Sequence, residues 1–137
     1  MSLSPSLTHT LPVRPGRPAL VALWAVQIAL AGMFLLAGGS KLFGAPPMVT
    51  LFDTIGVGQW FRYVTGLIEV GSAVALLVPR VAVFGAVALV PTMIGAVLTE
   101  LFIVGGSPIP PAILLVAVAV VVWARRSELP TRSQAAR

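Results

Sequence analysis

Charged residues are so sparse in this chain that the gaps between them outline its architecture. None occurs from Pro18 to Ser40, from Val81 to Thr99 or from Leu101 to Ala124. About 20 apolar residues rising 1.5 Å each cross the ~30 Å hydrocarbon core of a bilayer, so each gap predicts a spanning helix. A fourth segment, Trp60 to Val78, is apolar apart from Arg62 and Glu69. The predicted spans are therefore 18–42, 60–78, 81–104 and 108–124. Lipid offers backbone groups no partner, and period-2 alternation is missing, so helices rather than a barrel are expected. Between the first two spans, Met48, Leu51, Phe52 and Ile55 recur at helical spacing with Thr50, Asp53 and Thr54 among them, which predicts a short interfacial helix. The expected fold is all-α: a polytopic four-helix transmembrane bundle, residues 18–124, between basic tails at 1–17 and 125–137.

Helical spacing assigns each span a face. The first aligns Gln27, Ala31, Phe34, Gly38 and Lys41; the second aligns Arg62, Thr65, Gly66, Glu69 and Ala73. The third carries a small and polar stripe of Gly85, Ala88, Thr92, Ala96 and Thr99, with Glu100 on its flank. Small residues let helices approach closely where lipid gives no hydrophobic drive to associate, so these three faces are expected to turn inward. The fourth span has nothing polar between Ala112 and Val122 and reads as a lipid-facing closer. Pro91 falls mid-span in the third, as ordinary packing or as a kink beside a cavity.

Composition sharpens the picture. The chain has 137 residues, 58% hydrophobic and 9% charged, against about 25% charged in soluble domains, which puts it in a membrane. It has no cysteine, which excludes disulfides, thiolate metal sites and thiol catalysis, and its single histidine, His9, excludes haem ligation by a His pair. No metal site is expected. The net charge of +5 is carried by the tails, where Arg14, Arg17, Arg125, Arg126, Arg132 and Arg137 stand against Glu128; Arg80, joining the second span to the third, falls on the same side. Positive residues stay on the cytoplasmic side, so both termini are expected there, in a multi-pass protein of the bacterial cytoplasmic membrane. Trp24 and Trp123 then fall at the inner interface, Trp60 and Tyr63 at the outer. A competing view makes the first segment a cleaved signal ending at Ala37-Gly38-Gly39, but its apolar run exceeds the ~7–15 residues of a signal core. The basic tails are expected to touch membrane lipid, not nucleic acid.

The internal ionisable residues need justification, because a charge deep in hydrocarbon costs about 2.5–3.5 kcal/mol on insertion scales. Glu69 falls near the midplane; Lys41, Arg62 and Glu100 lie in the outer half. Pairing Lys41 or Arg62 with Glu69 or Glu100 would offset desolvation. Two outcomes stand open. One is a polar cavity beneath the interfacial helix, with Glu69, Lys41 and Glu100 as candidate proton-exchange residues and Gln27, Arg62, Thr65, Thr92 and Thr99 as its lining. The other is a buried ion pair that fixes helix register. No GxGxxG, Walker, HExxH or GxSxG pattern is present.

Ala37-Gly38-Gly39-Ser40-Lys41-Leu42, Thr65-Gly66 followed by Glu69 and Gly71, Pro79-Arg80 at a tight turn, and Met93, Gly95-Ala96 and Thr99 together resemble the DoxX-like family of small bacterial four-helix membrane proteins, over about residues 20–124. The resemblance implies a four-helix bundle with a Lys-end, Gly-x-x-Glu arrangement at Lys41, Gly66 and Glu69. Members have been linked to a thiosulfate:quinone oxidoreductase and to membrane complexes that handle oxidative stress with a sulfurtransferase and a superoxide dismutase. Relatives often carry His where this chain has Glu100, which replaces an imidazole with a second acid. The expected function is a membrane subunit of a quinone-linked redox or sulfur and oxidative-stress complex, with no intrinsic cofactor, quinone as its ligand, and membrane or peripheral redox proteins or a second copy as partners. The alternatives are a non-enzymatic scaffold or assembly factor, and a proton-coupled carrier of a small molecule.

Overall fold

A computed structural model describes residues 16–129; helix makes up 84% of them, with no strand among the described residues. His9, Arg14, Arg132 and Arg137 of the predicted tails lie outside that range. The first helix, α1 (Arg17–Leu42), carries Pro18 in its first turn, tolerated because first-turn amides have no intrahelical acceptor. It ends at Phe43, and Gly44, at φ 70°, turns the chain. Pro46 and Pro47 open α2 (Pro46–Ile55), and Gly56 closes it in the left-handed conformation, φ 79°, that glycine adopts without a Cβ penalty. Then come α3 (Gln59–Leu76), α4 (Ala82–Thr99), a π-helical extension (Glu100–Val104), α5 (Ile109–Ala124) and a short 3-10 turn (Arg126–Glu128).

The second span thus ends two residues before the expected 78, and the third changes its hydrogen-bond pattern at Glu100. α4 continues through Pro91 without a break. α1 and α4 with its π extension, 26 and 23 residues, are long and apolar enough to cross a membrane. α3 has 18 residues but includes Gln59, Arg62 and Glu69, and α5 is apolar but has 16.

α1 packs on α3, α3 on α4, α4 on α5, and α5 returns to α1; α2 lies against α3 and the π extension at one end. Apolar side chains face both ways. Phe34, Leu76, Leu89, Val118 and Val121 are fully buried between helices, while Leu36, Phe102 and Trp123 are among many left outside. A surface of this kind suits a lipid solvent rather than water. α5 is more than a closer: Val118 and Val121 complete the core, because a four-sided arrangement needs its inner face as much as any other.

Two glycine contacts set the helix spacing. A Cβ on Gly38 would stand 2.8 Å from the Gly66 carbonyl oxygen and from Val70 Cγ2, and one on Gly66 would stand 3.1 Å from the Gly38 carbonyl oxygen. α1 and α3 therefore touch backbone to backbone. At the opposite end a Cβ on Gly85 would meet Ala75 Cβ and the Ser72 carbonyl oxygen at 2.8 Å, so α3 and α4 close there. Overpacking of such seams costs about 1–3 kcal/mol. Gly38→Ala is expected to destabilise the protein by that amount in detergent unfolding titrations, whereas Gly32→Ala, whose Cβ meets nothing within 4 Å, is expected to be nearly neutral.

Candidate functional site

The two glycines that bring α1 and α3 together each stand one helical turn before a charge, Gly38 before Lys41 and Gly66 before Glu69. The close approach delivers those side chains to one another. Lys41 Nζ donates to Glu69 Oε1 at 3.0 Å and to Oε2 at 2.8 Å, with 13% of the lysine side chain and 3% of the glutamate side chain exposed. Two of the three ammonium N–H groups are thus directed to Glu69, leaving one.

Arg62 does not join this pair, contrary to the expectation that it could neutralise Glu69 or Glu100. Its guanidinium donates to the Lys41 backbone carbonyl in the last turn of α1, which also accepts from the Gly44 N–H at 3.4 Å, and through Nε to Gln59 Oε1 at 2.6 Å. It also stacks over Tyr63 at 4.3 Å. Gln59 in turn donates to the Val49 carbonyl at 3.0 Å and to Asp53 Oδ1 at 2.8 Å. Through Gln59 and Arg62, α2 is tied to the end of α1 on which Lys41 sits. The packing of Phe52 on Phe61, edge to face with centroids 5.9 Å apart, holds the apolar side of α2 in place.

Beneath α2 lies a cavity of about 860 Å3. Met48, Leu51 and Phe52 form its roof, and Lys41, Glu69, Thr65, Thr92, Thr99 and Glu100 are the polar groups on otherwise apolar walls. The threonine protons are committed within their own helices where bonds form: Thr65 Oγ1 to the Phe61 carbonyl at 3.0 Å, and Thr92 Oγ1 to the Ala88 carbonyl at 3.2 Å. Lys41 therefore has a spare donor, while the hydroxyl oxygens can accept. Glu100 stands apart from the ion pair. It opens the π extension, and its carboxyl packs so close to Gly106 that a Cβ there would collide with it. Its side chain makes no hydrogen bond or ion pair among the described residues. π-turns recur at functional positions because they interrupt the regular ladder.

Gln27 shares the face of Lys41 but not its site. It lies about 21 Å away along α1 at 1.5 Å per residue, and is absent from the cavity wall. Fully buried, it donates to the Leu76 carbonyl at 2.8 Å, capping α3, and accepts from Arg125 Nε at 2.7 Å. Arg125, placed in the C-terminal tail by sequence, is itself buried; it also bonds Glu128 Oε1 at 2.8 Å and lies 5.3 Å from the Trp24 ring. The bundle thus has a polar tie at each end. Of the predicted residues, Lys41, Glu69, Glu100, Thr65, Thr92 and Thr99 meet at the cavity; Arg62 buttresses it, and Gln27 belongs to the other end. Sequence reasoning missed Gln59 and Arg125. The signal for Arg125 was Gln27 itself, a buried amide that needs a partner on another helix.

Among known proteins, the model of the DoxX-like family matches residues 25–125, from α1 to the end of α5. No curated protein and no solved structure matches the chain.

Breaking a buried pair strands a charge, at a cost of about 3–5 kcal/mol, whereas replacing both partners by apolar groups is often neutral. Lys41→Met and Glu69→Leu are each expected to destabilise the protein by about 3 kcal/mol, and the double variant to recover most of the loss. Unfolding titrations of the four proteins in one detergent supply the cycle.

Proposed function

The chain belongs to the DoxX-like family, and from that premise we propose that it is an integral membrane subunit that binds a quinone for partner redox proteins. In this reading α1, α3, α4 with its π extension and α5 cross the bilayer, and α2 lies in the interface. The arginines at the α3–α4 turn and beyond α5 support placing both termini in the cytoplasm of a bacterial cell, with α2 on the outer side. The chain has no cysteine and a single histidine, so its own side chains offer no thiolate and no His pair for electron transfer. Electrons then pass through partner proteins, of the kind that act in sulfur or oxidative-stress metabolism.

The observation that carries the proposal is the Lys41–Glu69 pair set in the wall of an apolar cavity of ligand size. A quinone supplies two-electron, two-proton chemistry when bound. The residues fit its needs: the spare Lys41 N–H suits a carbonyl oxygen, and the apolar walls suit an isoprenoid chain and exclude water. Glu69 holds the ammonium in position with two hydrogen bonds. It is also the carboxylate nearest to Lys41, and so the group to receive or return a proton there. Glu100 provides a second acid on the same cavity.

Photolabelling the full-length protein in lipid nanodiscs with an azidoquinone tests this. Labelling on α2, α3 or α4 that excess decylubiquinone suppresses is expected, falling at least tenfold in the Lys41→Met/Glu69→Leu double variant, which keeps the fold but lacks the head-group anchor. Labelling that is not suppressed, or that is unchanged in the double variant, would contradict the assignment.

A further inference from the structure

The cavity walls are uneven in a way that bears on how a ligand reaches it. On the α1 side the seam is closed, because Gly38 and Gly66 touch through their backbones at the level of the ion pair. Above, the apolar face of α2 forms a roof held by Gln59 and Phe61. Toward α4 the situation is different. α3 and α4 are pinned at Gly85, near the far end, and the cavity lies between them beyond that point. Its lining there includes Val64 and Ile68 of α3 and Ala88, Pro91 and Gly95 of α4, all of them exposed. A Cβ added at Gly95 meets nothing within 4 Å. The exposed part of the lining is thus concentrated on these two helices, which points to the α3–α4 cleft as the open side of the cavity.

We propose that the ligand enters sideways from the bilayer through the α3–α4 cleft and leaves its apolar chain there, with an uncharged head at Lys41. This rests on the membrane-embedded quinone-binding reading and adds the route and the exclusion of an anionic head. The uncharged head follows from the groups present. The Lys41 charge is already matched by Glu69, and no other cation among the described residues lines the cavity, so an anionic head would find no free positive charge to pair with. A carbonyl head needs only the spare Lys41 N–H. Pro91 and Gly95 keep the cleft open, since neither carries a side chain bulky enough to bridge to α3.

The natural chain has no cysteine, so Met48→Cys in the roof accepts a single bimane fluorophore that a quinone quenches on arrival. In nanodiscs of neutral lipid, Gly95→Phe on this background is expected to raise the half-quenching concentration of decylubiquinone at least tenfold. For ubiquinone-0, which has the head but no chain, the change is expected to stay below twofold. Gly32→Phe, on the lipid side of α1, is the control and is expected to change neither. Palmitate at tenfold excess is expected not to restore fluorescence. Equal effects of Gly95→Phe on both quinones, or none on either, would overturn the side route while leaving the quinone site standing. Recovery of fluorescence with palmitate would overturn the uncharged head. Absence of saturable quenching by both quinones before Gly95 is changed would overturn the site and the route together.

Discussion

An ammonium and a carboxylate survive in hydrocarbon only if each satisfies the other and both are held there, and the Lys41–Glu69 pair imposes that condition on the surrounding bundle. Gly38 and Gly66 bring the two backbones into contact one turn before each charge, so that Nζ reaches both carboxylate oxygens. A Cβ at Gly38 would press on the Gly66 carbonyl and on Val70, and so push apart the two helices that hold the pair. Arg62 fixes the end of α1 by bonding the Lys41 carbonyl, and Gln59 ties α2 to Arg62. The lid of the cavity is thus connected to its polar wall through hydrogen bonds rather than by apolar contact alone.

The other end of the bundle obeys the same rule with different chemistry. There the orphan carbonyl of Leu76 at the close of α3 is met by Gln27, and Gln27 is met by Arg125 from beyond α5. Three helices are tied by two side chains. Between the two ties the interior is apolar and closed, from Phe34 and Leu89 to Val121. The space that remains lies at the Lys41 end, where α2 roofs it and the α3–α4 seam does not close. A site with one polar wall and apolar surroundings suits a molecule that is itself mostly apolar with one polar end.

Much of this was legible in the sequence, because in a chain with few polar residues each one carries information about position. Gln27, Ala31, Phe34 and Gly38 were assigned to one inward face of α1 by spacing, and all four are buried. Arg62, Gly66, Glu69 and Ala73 were assigned to one face of α3 with the same outcome. Pairing was harder to read. Arginine is long enough to choose among several acceptors, and Arg62 bonds a backbone carbonyl that no sequence pattern marks. Arg125 looked like one more positive-inside charge, since its neighbours Arg126 and Arg132 supply the same signal. Gln27 and Lys41 share a face, but a shared face says nothing about depth, and their partners come from opposite ends of the bundle.

The whole site depends on Lys41 and Glu69 forming one hydrogen-bonded pair. It can be measured without activity or ligand. Solid-state NMR of the full chain in lipid bilayers, with 15N on lysine side chains and 13C on glutamate carboxyls, reports the separation through dipolar dephasing. The chain has one lysine, so the assignment is unambiguous. The account predicts strong dephasing of the Lys41 Nζ signal by a glutamate carboxyl carbon, as Nζ to oxygen distances of 2.8 and 3.0 Å require, and its disappearance in Glu69→Gln. A lysine signal that no glutamate carboxyl dephases, or one whose dephasing survives Glu69→Gln, would contradict it.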